Sequence, residues 1–334
     1  MLSILYIITI LCVLGTFAPL HHNRYWLIRT QSNIKVYYLF LSLVLIAVHL
    51  CRDNIQGFDW LMIGLLVVSV ILCLRAVLPY TILGKKTVIK VEPEQVQRQL
   101  SILTYNVLQT NTKYQKFIDL VKKVNPDIIL TLEVDQKWDQ AMSVLEADYP
   151  HTIKDVRDNT YGISMMSRIS FDTAEVKYLV KDDVPSLDIH LTIEGKHIRI
   201  IGVHPEPPIP GEALTSMPKD LELLKIALDI RDSTEPDHQI LIGDLNDVGW
   251  SKNSINFKEI SGLNDPREGR GFYPSFPTYL PIRIPIDQVF CSEDLGIIKF
   301  KRLKHIGSDH FPLLVVFGLG RNIIDRSYKK IEMP

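Results

Sequence analysis

The residues that most clearly indicate chemistry are Asp244 and Asn246, which follow the apolar run Gln239–Ile242. Side chains two positions apart on an extended chain point to the same side, so both can face one phosphate or one water. The carboxylate can orient or deprotonate an attacking water, and the amide can donate a hydrogen bond to a developing oxyanion. Together with a second polar cluster near the carboxyl end of the chain, the pair predicts metal-assisted phosphoester hydrolysis. The structural alternative is an Asx turn after a strand.

A second polar cluster, Gly307–His310, lies near the carboxyl end of the chain. Asp309 can act as a metal ligand, and His310 can act as a cation facing a phosphate or as an acid or base. Asp287, which lies in another apolar run, can hold His310 in one tautomer. A turn that resembles a helix cap is the structural alternative for this cluster.

Three more polar residues, Asn106, Glu133 and His204, lie at ends of apolar runs. Glu133 is the best candidate for a metal ligand, because it is a lone carboxylate just after Ile128–Leu132. Asn106 can contact the metal or a phosphate oxygen, and His204 can donate a proton to a leaving group or phosphate. Taken singly, each also fits a structural role. A scaffold that gathers strand ends at one edge would bring all of them together.

The cysteines exclude a disulfide framework within the carboxyl-terminal region. Cys12, Cys51 and Cys73 lie in apolar amino-terminal segments, which leaves Cys291 alone in the rest of the chain. No Cys or Cys/His group has the spacing of a zinc site. A metal used for phosphoester chemistry must therefore have oxygen ligands, which favours Mg²⁺ or Mn²⁺.

The charges of the chain are balanced, with 37 basic and 38 acidic residues and a net charge of −1. A protein that binds nucleic acid tightly and without sequence preference usually has an excess of positive charge. The balance therefore argues against tight nonspecific DNA binding.

Three apolar segments, at 2–20, 34–51 and 60–78, are long enough to cross a membrane. Each is close to the roughly 20 residues that a helix needs to span the hydrocarbon. The alternatives are a cleaved signal peptide for the first segment and buried core helices for the others. The first lacks a basic start, and the others lack an amphipathic stripe. We therefore predict about three transmembrane helices, with the lipid bilayer as a partner.

The basic residues around these segments indicate an orientation. Arg24 and Arg29 lie in the first connection and Lys85 and Lys86 follow the third segment, whereas the second connection has Arg52 beside aspartates. The positive-inside rule then places the first connection and the large domain in the cytoplasm, with an external amino terminus. If one segment only lies in the interface, this orientation reverses.

The chain is accordingly expected to have four parts. They are a transmembrane anchor at 1–80, a polar linker at 81–99, a catalytic domain at 100–320 and a tail at 321–334. We expect a multi-pass protein of the inner or plasma membrane.

Within the catalytic region, strand-like and helix-like patterns alternate. Apolar residues recur at helical spacing in 112–124 and 220–230, and two alternating runs, 187–193 and 197–203, predict a β-hairpin. The segment 269–285 is rich in Gly, Pro and aromatic residues, which indicates a long loop. A further helix is predicted at 137–145, and further strands at 101–105, 127–132, 162–167, 175–180, 239–242, 286–290 and 313–317.

Short motifs that cover nearly all of residues 100–318 resemble the endonuclease/exonuclease/phosphatase superfamily. This superfamily includes DNase I, exonuclease III-like repair nucleases, sphingomyelinases and inositol-polyphosphate 5-phosphatases. The Glu133, Gly-Asp-Leu-Asn and Ser-Asp-His motifs are specific in combination, and the others are weak alone. The matching stretches are Thr104–Val107, Asp127–Glu133, Tyr161–Ser164 with Ser167–Arg168, Val203–Pro205, Gly243–Asn246, Ile286–Phe290 and Gly307–His310.

The resemblance implies an α/β fold, a four-layer sandwich of two packed, mostly antiparallel sheets flanked by helices. It also implies a Mg²⁺-dependent phosphodiesterase or phosphomonoesterase. By matching positions, it implies metal binding by Asn106, Glu133 and Asp309 and catalytic roles for His204, Asp244, Asn246, Asp287 and His310.

Two departures from the family pattern weaken a role in abasic-site repair. Leu108 lies where some repair nucleases have an acidic residue, and the chain lacks a basic DNA-binding insertion. The anchor is similar in kind to that of bacterial members associated with lipid-linked pyrophosphates. The favoured function is a membrane-anchored phosphoesterase, with a lipid-linked phosphate as the preferred substrate. An endonuclease or exonuclease acting on DNA or RNA and an inactive membrane-bound binding module are the alternatives. No protein partner can be inferred.

Overall fold

The computed structural model describes residues 2–320, so the expected tail at 321–334 lies outside the described residues. The helices are α1 (Leu2–Phe17), α2 (Trp26–Arg29), α3 (Lys35–Leu50), α4 (Gly57–Val77), α5 (Tyr114–Val124), α6 (Gln136–Met142), α7 (Met217–Asp232) and α8 (Lys252–Ser261). The strands are β1 (Arg98–Asn106), β2 (Ile128–Leu132), β3 (His151–Asp155), β4 (Ile163–Ser167), β5 (Thr173–Lys177), β6 (Ser186–Ile193), β7 (Lys196–Val203), β8 (His238–Asp244), β9 (Asp287–Cys291), β10 (Gly296–Arg302) and β11 (Leu313–Leu319).

The strands form two sheets, one of six strands in the order β10-β11-β1-β2-β4-β3 and one of five in the order β5-β6-β7-β8-β9. Among the described strand pairs, β1–β2 and β7–β8 are parallel and the others are antiparallel. Each parallel pair is connected through a helix, α5 or α7, because parallel neighbours need a crossover. The expected sandwich of two mostly antiparallel sheets flanked by helices is confirmed.

Successive side chains along a strand point to opposite faces of its sheet, so each sheet packs against the other sheet on one face and against helices on the other. On β1, Leu100 and Ile102 lie in the central core between the two sheets. Leu103 and Tyr105 point to the other face and pack against Phe117 of α5. The second sheet repeats this arrangement against α7 and α8. Burial of both faces explains why the central strands are apolar throughout, rather than alternately polar.

Most of the elements predicted from periodicity are present, including the β6–β7 hairpin and both amphipathic helices. Four elements were missed, among them the short helix α2 in the first connection. β3 and β10 carry polar residues at partly exposed positions near sheet edges, so they lack a clear apolar pattern. α8 buries little apart from Phe257 and two serines, and its apolar signal is correspondingly weak.

The amino-terminal helices pack against one another and expose many large apolar side chains. Three helices are long and apolar enough to cross a membrane, at Ser3–Leu20, Trp26–Leu50 and Gly57–Tyr80. Buried polar side chains meet at the end of the bundle where α4 begins. There, the Asp59 carboxylate contacts His49, Arg52 and Tyr6.

The anchor is docked on the catalytic domain. Trp250 Nε1 donates to the Ser32 carbonyl over 2.8 Å, and the Tyr37 hydroxyl lies 2.8 Å from the Arg283 carbonyl oxygen. Tyr80, just after α4, packs edge-on against Trp250. The connection between α1 and α3 therefore lies on the same side of the bundle as the catalytic domain, and the connection between α3 and α4 lies at the opposite end.

The expected linker, 81–99, is itself packed along the catalytic domain. Val88 is fully buried in the central core. The Val91 amide donates to the Ile297 carbonyl, and the Ile297 amide donates to the Ile89 carbonyl, so this stretch follows β10. Its last two residues already belong to β1. The anchor and the domain are thus connected by ordered chain.

The carboxyl group of Glu222 on α7 is buried, and this burial makes the stability of the protein depend on pH. Burial raises the pKa of Glu222 from 4.5 to about 7, although a hydrogen bond from Ser186 opposes the shift. Between these values the folded protein holds a proton that the unfolded chain has lost, so stability falls as pH rises from about 4.5 to about 7.

Glu222→Gln should therefore increase the free energy of unfolding at pH 8 by up to about 3 kcal/mol, and by much less at pH 4.5. Thermal unfolding in detergent at both pH values measures the difference, with exposed Glu175→Gln as the control. An equal change at the two pH values would contradict the assignment.

Candidate active site

The polar residues predicted at the strand ends converge on one cleft of about 440 Å³. Asn106 and Asp287 lie behind its surface and contact residues that line it. All eight predicted residues therefore belong to one site. Those that line the cleft are Glu133, His204, Asp244, Asn246, Asp309 and His310.

Asn106 connects the two sheets at the base of the cleft. It ends β1 in the first sheet, and its Nδ2 group lies 2.9 Å from Glu133 Oε1 and 3.2 Å from Asp244 Oδ2. Its Oδ1 atom accepts the Leu108 amide. The amide nitrogen therefore lies between two carboxylates and the amide oxygen faces the Leu108 amide, and metal binding by Asn106 stays a prediction.

Glu133 follows β2 in a left-handed backbone conformation, with φ +61°. Few residues other than Gly and Asn adopt this conformation, and such backbone strain is concentrated at functional sites. The turn directs the side chain into the cleft, where Oε2 accepts the Gln109 amide over 3.1 Å. The carboxylate is half-buried and keeps part of its surface open to a ligand.

Asp244 is placed at the end of β8 by a close approach between backbones. A Cβ atom on the preceding Gly243 would lie 1.9 Å from the Val203 carbonyl oxygen of β7, so only glycine fits there. Asp244 Oδ1 accepts the Asn246 amide, and Asn246 Nδ2 donates to the Pro205 carbonyl. The Asx turn considered above is therefore present, and it aims both side chains at the cleft.

His310 and Asp287 form a hydrogen-bonded pair, with 2.8 Å between Nδ1 and Oδ2. The other ring nitrogen lies 3.5 Å from Asp244 Oδ2, and Phe276 packs on the ring. Burial alone would lower the pKa of His310, but Asp287 and Asp244 outweigh it and raise the pKa to about 10. The imidazole is therefore positively charged at neutral pH.

His204 has an incomplete set of hydrogen bonds. Its Nε2 atom lies 3.7 Å from Asp244 Oδ2, and its ring packs near Tyr161. Its Nδ1 atom is buried and has no hydrogen-bond partner within residues 2–320. Buried polar atoms are normally paired, so this nitrogen is expected to contact water or a ligand.

Two residues that sequence reasoning did not select support the loop that carries Asp309 and His310. Ser308 Oγ lies 2.8 Å from the Asn106 carbonyl and accepts the His310 amide. The Tyr105 hydroxyl accepts the Ser308 amide over 3.2 Å. The Ser-Asp-His motif pointed to Ser308, whereas nothing in the sequence distinguished Tyr105 from other apolar core residues.

The donor groups of the cleft fit a divalent cation. Glu133 and Asp309 are carboxylates on the cleft wall, and no thiol lines it. Hard oxygen donors suit Mg²⁺ or Mn²⁺. Ligand atoms of Asp244, Asp287 and His310 also lie within 4.8 Å of one another. We favour the first pair, because Asp287 and His310 are already hydrogen-bonded to each other.

The wall of the cleft includes two residues from the anchor, Thr30 and Asn33. They lie in the connection between α2 and α3. Thr30 and Asn33 are polar residues of the kind found in most connections between helices. The sequence therefore gave no sign that they would reach the cleft. Much of the remaining wall is apolar and comes from loops near residues 207–209 and 276–286.

The Endonuclease/Exonuclease/phosphatase family model matches residues 103–310, which contain all eight predicted site residues. No curated protein matches the sequence.

Solved structures share the fold at low sequence identity. TDP2 of D. rerio with a single-strand DNA product has a TM-score of 0.57 and 17% identity, covering 66% of this chain and 100% of that chain. An endonuclease/exonuclease/phosphatase from Bacteroides vulgatus has a TM-score of 0.55 and 15% identity, covering 67% and 100%. The human Nocturnin catalytic domain with bound sulfate has a TM-score of 0.55 and 14% identity, covering 70% and 97%.

Gly243→Ala tests the close approach that positions Asp244. The new methyl group would overlap the Val203 carbonyl, so we expect the free energy of unfolding to fall by about 3 kcal/mol. Gly195→Ala is the matched control, since Gly195 also has positive φ but nothing lies near its Cβ position. The control should lose about 1 kcal/mol. Equal losses in denaturant titrations of the two variants would contradict the proposed constraint.

Proposed function

Because this chain belongs to the Endonuclease/Exonuclease/phosphatase family, we propose that it is a membrane-anchored, Mg²⁺- or Mn²⁺-dependent phosphoesterase acting on a lipid-linked phosphate. The observation that carries the hydrolase part is the convergence of Glu133, Asp244 and His310 on one cleft, bridged at its base by Asn106. Family membership and this set of groups both support a metal-dependent hydrolase.

Glu133 and Asp309 would hold the divalent cation, which supplies charge stabilisation to the phosphoryl oxygens when bound. Asp244 orients the attacking water and accepts its proton. The His310 imidazolium, held by Asp287, donates a hydrogen bond to a phosphoryl oxygen as negative charge develops there. Asn246 has one amide hydrogen free of the Pro205 carbonyl for the same purpose.

His204 is the remaining donor next to the substrate. The buried Nδ1 without a hydrogen-bond partner among the described residues and the position of the ring beside Asp244 support a role for His204 in donating a proton to a second phosphate oxygen or to the leaving oxygen. Each of the residues named in this mechanism therefore has one task in an in-line displacement.

The surroundings of the cleft support a substrate delivered by the bilayer. Thr30 and Asn33 of the anchor form part of its wall. The neighbouring loops expose large apolar side chains near the anchor, among them Ile209, Leu214 and Ile282. A headgroup in the cleft could therefore remain attached to an acyl or prenyl chain in the membrane.

The loops that carry these side chains are fixed to the anchor. The Trp26 amide donates to the Leu214 carbonyl over 3.0 Å, and the Tyr37 hydroxyl bonds to the backbone of Arg283. The cleft is thereby held close to the ends of the apolar helices. We place the catalytic domain in the cytoplasm, because basic residues lie in the first connection and after the third helix.

Asp244→Ala and Glu133→Gln should each reduce hydrolysis of bis-p-nitrophenyl phosphate by about 10²-fold or more, because each removes a group that acts in the transition state. EDTA should abolish the activity, and Mg²⁺ or Mn²⁺ should restore it. Asp232→Asn, an exposed carboxylate at the end of α7, should behave as wild type. Wild-type rates for Asp244→Ala under every metal would eliminate the hydrolase proposal.

A substrate panel distinguishes lipid from nucleic acid. The full chain in detergent micelles should hydrolyse a polyprenyl pyrophosphate or a phospholipid faster than plasmid DNA or RNA. Replacing exposed Leu214 and Ile282 by Ser should slow hydrolysis of the lipid substrate more than that of bis-p-nitrophenyl phosphate. Activity on DNA or RNA alone would favour the nuclease alternative.

A further inference from the structure

A second pocket, of about 230 Å³, lies between the anchor and the outer helices of the catalytic domain. We call it the anchor-side pocket and define it by His22, Arg24, Arg29, Asp220, Lys252 and Phe257. None of these residues lines the catalytic cleft. Its walls combine basic side chains with an apolar floor that includes Phe257.

Backbone hydrogen bonds hold the two sides of this pocket together. The Ser216 amide donates to the Arg24 carbonyl over 2.8 Å, and the Trp26 amide donates to the Leu214 carbonyl over 3.0 Å. Tyr25 and Thr215 form an isolated antiparallel bridge. The basic residues at 24–29 are therefore held against the start of α7.

The one carboxylate that lines the pocket already has partners. Asp220 Oδ1 accepts Asn253 Nδ2 over 2.6 Å, and Oδ2 accepts the Ser216 hydroxyl over 2.9 Å. Arg24 Nε also lies 3.7 Å from Asp220 Oδ2. Arg29 also acts on Asp220 electrostatically, but one carboxylate carries a single negative charge and leaves the three cationic side chains of the pocket with a net positive charge.

Arg29 and Lys252 form no ion pair with any residue in the described part of the chain. The Arg29 Nε atom is buried and has no hydrogen-bond partner there either. A buried guanidinium nitrogen without an acceptor costs free energy, so a pocket that retains one is suited to an anion.

The surroundings indicate which anion this is. Arg29 lies near the start of the apolar stretch Trp26–Leu50 and six residues before α3 begins at Lys35, so the pocket lies at the end of the apolar bundle. Leu27 and Leu224 are exposed large apolar residues of the same region. Basic pockets at the end of membrane helices suit lipid phosphates, whose acyl chains can rest on adjacent apolar surface.

We propose that the anchor-side pocket binds the phosphate of an anionic phospholipid headgroup, with Arg29 and Lys252 as its donors. This site is separate from the catalytic cleft. It depends on the membrane location of the anchor but not on the proposed catalysis.

The test uses the full chain in bicelles of phosphatidylcholine alone or with phosphatidylglycerol. Phosphatidylglycerol should raise the Tm of the wild type, and the Arg29→Gln/Lys252→Gln variant should lose most of this increase. Lys122→Gln/Lys123→Gln removes two exposed basic residues of α5 and should keep the increase. Lys252→Gln alone should lose part of it, and it changes only an exposed side chain.

A further arm adds inorganic phosphate to phosphatidylcholine bicelles and should leave the Tm unchanged. A lipid-dependent increase that survives in the double variant, or is absent in the wild type, would overturn the proposal. If inorganic phosphate reproduced the whole increase in Tm, the assignment of the bound phosphate to a phospholipid headgroup would also be overturned. The Tm of the double variant in phosphatidylcholine bicelles shows whether this variant folds. The test does not depend on whether the protein hydrolyses a phosphoester.

Discussion

The candidate active site depends on a single side-chain amide that joins the two sheets. Asn106 ends β1 of one sheet, and its Nδ2 group contacts Glu133 of that sheet and Asp244 of the other. Two carboxylates at the base of one cleft would repel each other without a donor between them. Since the central core sets the distance between the sheets, the packing of apolar side chains far from the cleft also sets the geometry of the site.

Charge balance is the second constraint on the cleft. Asp244 and Asp287 are both almost fully buried, and buried carboxylates need partners. His310 lies between them as an imidazolium, with Asp287 on one ring nitrogen and Asp244 near the other. The two carboxylates therefore hold the His310 ring in a fixed orientation, as its proposed role in donating to a phosphoryl oxygen requires.

The anchor contributes to the site as well as to its location. Thr30 and Asn33 line the cleft, and Trp250 bonds to Ser32 next to them. A catalytic domain on a flexible tether would meet soluble and membrane substrates alike. A cleft partly built by the anchor has a defined position relative to the ends of the apolar helices, and this arrangement supports the proposed lipid-linked substrate.

The sequence by itself determined most of the strands and helices, the apolar amino-terminal segments and the identity of the polar groups, because these depend on local periodicity and on which residues end each strand. The layered sandwich was predicted only through the family resemblance. Glu133, Asp244 and His310 could be named from such patterns together with a family resemblance. The sequence did not show that Asn106 would turn its amide nitrogen to two carboxylates, that His310 would stay charged, or that Thr30 and Asn33 would reach the cleft. Only the tertiary structure decided these, because each depends on distances between segments that are far apart in the chain and carry no local signal.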